Sequence, residues 1–106
     1  MIRQLSPKEV KNILERGENI RIIDVREEWE YETAKIENSE LMPLSAFNEH
    51  ITKLNPEDNL VISCHHGNRS YRVCAYLVQN GFKRVSNLDG GINAWSQEVD
   101  PSIPVY

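Results

Sequence analysis

Short apolar runs alternate with amphipathic segments along this chain. Residues 20–25, 60–63 and 85–88 each have the length and apolar content of a strand that is covered on both faces of a sheet. Apolar residues at helical spacing lie between these runs. Strands separated by helices pair in parallel through right-handed crossover connections. We therefore expect an α/β fold, a three-layer sandwich in which helices cover both faces of a central parallel sheet.

Capping residues mark where the helices begin. Ser6 is suited to cap the first helix, Pro7 suits its first turn, and Glu9 completes a capping box with Ser6. The buried stripe of that helix is expected to include Leu14, and Ser45 is the expected cap of a later helix. These signals place one helix before the strand at 20–25 and another before the strand at 60–63.

The size and charge of the chain argue against several classes of protein. Its 106 residues suffice for one core and are expected to form a single domain, residues 1–106. The net charge of −4 and the lack of a Lys/Arg cluster argue against a nucleic-acid partner. The first seven residues lack the apolar stretch of a signal peptide, and no run reaches the roughly 20 residues that span a membrane. We therefore expect a cytoplasmic protein without a membrane partner.

A cysteine follows the central apolar run and opens the segment Cys64-His65-His66-Gly67-Asn68-Arg69. A helix is expected to open near Ser70, so this segment is the loop between a strand and the next helix. Such a loop lies at the carboxyl edge of a parallel sheet, where the first N–H groups of the helix are unpaired. The helix terminus and the nearby Arg69 favour the thiolate, which is the nucleophilic form. Cys64 is therefore the expected nucleophile.

The other loop residues suit an anion site. Gly67 permits the curvature that turns successive amides inward, and Asn68 tolerates left-handed geometry. Three roles are open for Arg69, which can hold loop carbonyls, pair with the Asp24 carboxylate or meet an incoming anion. Asp24 is expected near the loop because it also ends a strand. The sequence therefore predicts an acidic and a basic side chain at the edge that carries Cys64.

His65 and His66 raise the question of a metal site. Adjacent side chains diverge and rarely bind one ion, and no Cys-x-x-Cys or His-x-x-x-His pair completes a tetrahedral set with them or with His50. We expect no metal, and we interpret both histidines as loop-surface residues that tune the polarity of the site.

The second cysteine and the large aromatic residues are interpreted as packing residues. Cys74 falls on the same helical stripe as Val78, a position typical of a small core residue. A reducing compartment argues against a disulfide between the two cysteines. Aromatic side chains of a small α/β core mostly pack inside it, which is our expectation for Trp29, Tyr31 and Trp95.

Three segments together resemble the rhodanese-like domain family. The cysteine loop followed by Ser70 is similar to the family's active-site signature. Two flanking segments are similar to its first and closing motifs, namely Ile23-Asp24-Val25-Arg26-Glu27 with Trp29-Glu30-Tyr31, and Leu88-Asp89-Gly90-Gly91-Ile92-Asn93-Ala94-Trp95. The resemblance extends in order from about residue 20 to residue 95.

The resemblance implies a rhodanese-like fold with a five-stranded parallel sheet. It also implies that Cys64 carries a persulfide and that Asp24 and Arg26 support the loop from beneath, with Ser70 as a further supporting residue. Many relatives have Gly-His-Ile-Pro-Gly-Ala before the next strand, and residues 34–39 of this chain are Ala-Lys-Ile-Glu-Asn-Ser instead.

These features predict a rhodanese-type sulfurtransferase that needs no cofactor. Sulfane sulfur passes from a small-molecule donor, thiosulfate or a persulfide, to Cys64 and then to cyanide, a thiol or a protein. One alternative is a cysteine-based phosphatase or arsenate reductase of the same fold. Those enzymes have five residues between the cysteine and the arginine, whereas Cys64 and Arg69 enclose four. The other alternative is a noncatalytic binding or regulatory module, although such modules typically lack the cysteine.

Overall fold

The computed structural model describes residues 2–106 and contains a five-stranded sheet. The strands are β1 (Arg3–Leu5), β2 (Arg21–Asp24), β3 (Glu40–Leu41), β4 (Asn59–Ser63) and β5 (Arg84–Leu88). Their order in the sheet is β1-β5-β4-β2-β3, and each neighbouring pair is parallel. The predicted parallel α/β architecture is confirmed.

Helices cover both faces of this sheet. The α-helices within residues 2–106 are α1 (Pro7–Glu15), α2 (Glu28–Thr33), α3 (Phe47–His50), α4 (Asn68–Gln79) and α5 (Gly91–Glu98). Short 3₁₀ turns, Leu44–Ala46 and Ile51–Lys53, flank α3. None of these helices is long and apolar enough to cross a membrane.

Successive strand residues face opposite helical layers. Ile22 and Val61 belong to the buried cluster that includes residues of α1 and α5. Ile23 and Ile62 belong to the cluster that includes residues of α3 and α4, and Cys74 lies in that cluster as predicted. Because both faces of the sheet are covered, its strands are apolar on both sides, which is the pattern that the sequence presents.

The start of α1 follows the predicted capping box. The Ser6 hydroxyl accepts a hydrogen bond from the Glu9 N–H at 3.1 Å, and the Glu9 carboxylate accepts one from the Ser6 N–H at 3.0 Å. Two orphan amides of the helix terminus are thereby satisfied.

Two residues predicted to be buried on helices are exposed. Leu14 is 40% exposed, because Val10 and Ile13 already fill the face of α1 that packs on the sheet. Val78 is 41% exposed, since α4 contacts the core through a stripe that ends at Leu77. In both cases the residue next to the last buried position points about 100° away from it.

The prediction that Ser45 caps a helix is wrong. It lies inside the turn Leu44–Ala46, which follows Pro43, and its side chain caps no backbone amide there. Its hydroxyl instead donates to Glu27 Oε1 at 2.7 Å. Proline fixes the backbone before the turn and so determines where the turn begins.

The carboxyl ends of β2, β4 and β5 lie side by side. The register pairs Asp24 with Ser63, the residue before Cys64. On the other side of β4, β5 ends at Leu88, shortly before α5 begins at Gly91. The loops after these three strands therefore meet at one edge of the sheet.

Candidate active site

Cys64 lies where the chain leaves the sheet at the end of β4. The strand ends at Ser63, and α4 begins at Asn68, two residues before the start predicted near Ser70. Gly67 is the N-cap residue of α4 with φ +105°, a left-handed conformation that L side chains rarely adopt. Cys64 itself is buried, at 1% exposure.

Three groups with donor protons lie close to the Cys64 sulfur. The Gly67 N–H donates to Sγ from 3.1 Å and the Ser70 N–H from 3.4 Å, and the Ser70 hydroxyl oxygen lies 3.2 Å from Sγ. Several donors around one sulfur stabilise negative charge on it. The structure thus brings Cys64, Gly67 and Ser70 together in an arrangement suited to a thiolate.

The start of α5 holds the carbonyls of the same loop. Ile92 N–H donates to the Cys64 carbonyl at 2.8 Å, and Asn93 N–H donates to the His65 carbonyl at 3.1 Å. A Cβ on Gly91 would overlap both carbonyl oxygens, so this close approach requires glycine. Because α5 binds the loop carbonyls, it holds the loop in the curved conformation that directs the amides of Gly67 and Ser70 to the sulfur.

Asn87 of β5 is a buried site residue that the sequence analysis did not assign. Its amide nitrogen donates to the Gly67 carbonyl at 3.1 Å and to Gln4 Oε1 at 3.0 Å. Its oxygen accepts from the Ser70 hydroxyl at 2.5 Å, so that hydroxyl lies between Asn87 and the Cys64 sulfur. A serine hydroxyl has one proton and donates it to one acceptor at a time. The available signal was an asparagine inside a buried strand, because a buried amide needs specific partners.

Arg69 pairs with Glu30 of α2, a partner that the sequence analysis did not consider. Its two terminal nitrogens donate to the two oxygens of the Glu30 carboxylate at 2.8 and 2.9 Å. Among the described residues it makes no hydrogen bond to Asp24 or to a loop carbonyl. The Arg69 guanidinium lowers the pKa of Glu30 to about 2, and Glu30 in turn raises the pKa of Arg69. Both groups therefore stay charged at neutral pH.

Asp24 is occupied by Arg26, with which it forms a fully buried ion pair. The Arg26 guanidinium donates to the Asp24 carboxylate at 2.7 to 3.0 Å, and neither side chain is exposed. It also donates to the backbone carbonyls of Glu30 and Ala34. A buried pair needs such additional hydrogen bonds to offset the cost of removing both charges from water. The pair ties the end of β2 to α2, which carries Glu30.

Tyr106 joins the loop histidines to both ion pairs. The His65 ring is stacked between the rings of His66 and Tyr106, with centroid distances of 3.9 and 4.0 Å. The Tyr106 hydroxyl donates to Glu30 Oε1 at 3.0 Å and accepts from Arg26 at 2.8 Å. This tyrosine is distant in sequence from every group it contacts, and no pattern in the sequence indicated it.

Burial lowers the pKa of His65, and the neighbouring His66 lowers it further. His65 is therefore neutral at pH 7, and its Nε2 is buried without a hydrogen-bond partner in the described part of the chain. Within residues 2–106, no three side chains of the metal-binding types form a group that could hold an ion.

The interpretation of Trp29 as a core residue is wrong. Its side chain is 62% exposed and contacts the edge of the Tyr106 ring at a centroid distance of 6.0 Å. The residue that α2 buries is Glu30, so the neighbouring tryptophan is left on the rim of the site. Trp95 is buried as expected, and Tyr31 is half-buried.

The second cysteine, Cys74, lies within the core. Burial, together with the nearby Cys64, raises the pKa of its thiol to about 12. The thiol is therefore protonated at neutral pH, which agrees with its interpretation as a core residue.

The family model of the rhodanese-like domain matches residues 6–98. The chain belongs to the rhodanese-like domain family. A sulfurtransferase of Allochromatium vinosum is 30% identical to this rhodanese-like domain over 103 residues, which cover 97% of the chain and 96% of that protein. The crystal structure of a rhodanese-like domain protein from Staphylococcus aureus superposes with a TM-score of 0.85 at 28% identity and covers 99% of both chains.

Other relatives of this rhodanese-like domain are much longer. The chloroplastic rhodanese-like/PpiC domain-containing protein 12 of Arabidopsis thaliana is 43% identical over 90 residues, which cover 81% of the chain but 30% of that protein. The chain spans less than a third of the length of this and several similar relatives.

The segment that departs from the family pattern keeps a compact backbone. Asn38 stands where many rhodanese-like domains have glycine and adopts φ +67°, which asparagine tolerates better than most residues. Ile36 is buried, and its carbonyl accepts a hydrogen bond from the Ser39 hydroxyl at 2.6 Å. The substitutions therefore leave the connection between α2 and β3 well packed.

Proposed function

We propose that this rhodanese-like domain is a sulfurtransferase that carries sulfane sulfur as a persulfide on Cys64. The observation that supports it most is the convergence of the Gly67 and Ser70 donors on the Cys64 sulfur. The family and the sulfurtransferase of similar length support the reaction class. In this proposal residues 1–106 act as a single domain in the cytoplasm and need no cofactor.

The proposed reaction has two half-reactions. The Cys64 thiolate first attacks the outer sulfur of thiosulfate or a persulfide, and a bond forms between the two sulfurs. The sulfur–sulfur bond of the donor breaks, and its electron pair leaves with sulfite or with a thiolate. Cyanide, a thiol or a protein acceptor then attacks the outer sulfur, and Cys64 leaves as a thiolate. The Gly67 and Ser70 donors stabilise the thiolate that begins and ends the cycle.

The loop supports sulfur transfer over phosphoryl transfer. Only four residues separate Cys64 from Arg69. A transferring phosphoryl group needs donors for three equatorial oxygens. The amides of Gly67 and Ser70 are aimed at Sγ, and Arg69 is engaged by Glu30. We therefore expect no hydrolysis of an aryl phosphate.

Transfer of sulfur to cyanide tests the proposal, with thiocyanate as the product that is measured. The native protein is expected to turn over, and Cys64→Ser to be inactive. Cys74→Ala is the matched control, because it removes the other buried thiol from the same core cluster. It should keep most of the activity and lose modest stability. Native turnover by Cys64→Ser would contradict the proposal.

A further inference from the structure

Each arginine of the candidate active site has a carboxylate that offsets its charge. Arg26 pairs with Asp24 out of contact with solvent, and Arg69 forms a bidentate pair with Glu30. The Arg69 side chain is 37% exposed, whereas that of Glu30 is 6% exposed. The pair therefore presents a partly exposed guanidinium at the loop that carries Cys64, while the buried carboxylate bound to it cancels the net charge.

Glu30 is fixed in this position by more than its ion pair. Its carboxylate also accepts hydrogen bonds from the Glu27 N–H at 3.0 Å and from the Tyr106 hydroxyl at 3.0 Å. These two donors lie on different parts of the chain, and together with Arg69 they occupy both carboxylate oxygens. An incoming anion therefore has to bind Arg69 while Glu30 stays in place.

The two donor classes differ in the charge that they bring to this site. Thiosulfate is a dianion, and its reaction with the Cys64 thiolate forms a persulfide anion and releases sulfite, so three negative charges meet in the transition state. A hydropersulfide R–S–SH transfers its outer sulfur to the Cys64 thiolate and releases R–S⁻, so one negative charge is present throughout. An unpaired cation would favour the first reaction more than the second.

We propose that Glu30 is a specificity-determining residue that disfavours thiosulfate and makes a low-molecular-weight or protein persulfide the preferred sulfur donor. The inference rests on the proposed sulfur transfer through Cys64 and names the donor class of that site. Glu30 acts by neutralising Arg69, so removing its charge should leave a cation that attracts a dianionic donor.

The rate of the first half-reaction measures this preference directly. Native protein, Glu30→Gln and Glu40→Gln are mixed with thiosulfate or with 2-hydroxyethyl persulfide, whose organic group carries no charge, and the persulfidated protein is counted by mass. Glu40→Gln is the matched control, because it makes the same charge change. It also removes a carboxylate that an arginine, Arg21, binds through two hydrogen bonds. Arg21 and Glu40 lie on β2 and β3, outside the site.

We expect native protein to react faster with 2-hydroxyethyl persulfide than with thiosulfate. Glu30→Gln should raise the second-order rate constant for thiosulfate by roughly tenfold, within the range of electrostatic effects on association, and change that for 2-hydroxyethyl persulfide by less than about twofold. The gain should shrink as salt is added, because salt screens the attraction. Glu40→Gln should leave both rate constants close to native.

Three results would overturn the assignment. The first is that native protein prefers thiosulfate, which is observed without any variant. The second is that Glu30→Gln leaves the rate constant for thiosulfate unchanged. The third is that Glu30→Gln lowers the rate constants for both donors equally. In each of these cases Cys64 is still loaded with sulfur, so the proposed function stands. Failure of both donors to load Cys64 in native protein would instead contradict the proposed function, and this inference with it.

Discussion

At the scale of single residues, Tyr106 contributes to the site in two separable ways. Its ring stacks on His65 at nearly parallel planes, 4° apart, and its hydroxyl connects Glu30 with Arg26. The ring therefore supports the cysteine loop, whereas the hydroxyl supports the two ion pairs. Substitutions that remove one contribution at a time distinguish them.

Tyr106→Phe should keep the stack and lose the hydroxyl. We expect a decrease in the free energy of unfolding of about 1 kcal/mol, because one buried Arg26 N–H loses its acceptor, and near-native sulfur transfer. Tyr106→Ala also removes the stack and should lose about 2 kcal/mol and a larger share of activity. Urea unfolding and the transfer assay measure both quantities. Equal effects of the two substitutions would mean that the stack contributes nothing.

At the scale of elements, the site depends on how closely α5 approaches the cysteine loop. The first amides of α5 bind the loop carbonyls, and Gly91 lies against them with φ +61°. Gly81, after α4, has a similar left-handed φ of +87°, but within residues 2–106 no neighbouring atom lies within 4 Å of the position of a Cβ. Substitution of Gly81 therefore introduces backbone strain alone, whereas substitution of Gly91 introduces both backbone strain and steric contact with the loop.

Gly91→Ala should lower sulfur transfer much more than Gly81→Ala. Both substitutions force an L side chain into left-handed geometry at a cost of about 1 kcal/mol or more. Only the alanine at 91 displaces the carbonyls of Cys64 and His65, and with them the donors aimed at the sulfur. Activity at matched folded fraction, checked by circular dichroism, is the measurement. Comparable activity losses in both variants would contradict a specific role for the α5 contact.

At the scale of the whole molecule, carboxylates paired with arginines stabilise the fold at neutral pH. Arg69 lowers the pKa of Glu30 to about 2 from its ordinary value of 4.5, and Arg21 lowers the pKa of Glu40. A carboxyl group whose pKa is lowered on folding stabilises the protein above its ordinary pKa. That contribution is lost as the pH falls from about 4.5 towards 2.

The stability of native protein should therefore fall more steeply in acid than that of Glu30→Gln. Between pH 7 and pH 3, we expect the free energy of unfolding of Glu30→Gln to fall by about 1 to 2 kcal/mol less than that of native protein. This difference allows for the partial exposure of Arg69 to solvent, which weakens the ion pair. Urea unfolding at both pH values gives the difference. Parallel losses in the two proteins would show that the Glu30 pair does not couple folding to pH.

The sequence predicted the architecture and the position of Cys64 because both follow from local patterns. Apolar periodicity indicated which segments are strands, and a cysteine directly after a strand lies at the carboxyl edge of a parallel sheet. Glu30, Asn87 and Tyr106 were not predicted, since their roles arise from contacts between residues separated by 17 to 83 positions. Trp29 was misassigned because amphipathic patterns over the six residues of α2 do not identify its buried face.

Mass spectrometry of the loaded protein shows whether Cys64 carries the transferred sulfur. Incubation with a sulfur donor should add one sulfur atom to the peptide that contains Cys64 and none to the peptide that contains Cys74, when the two are separated by proteolysis. Addition of cyanide should remove that sulfur and release one thiocyanate for each loaded protein. Sulfur on Cys74, or turnover without any sulfur bound to Cys64, would show that Cys64 is not the carrier.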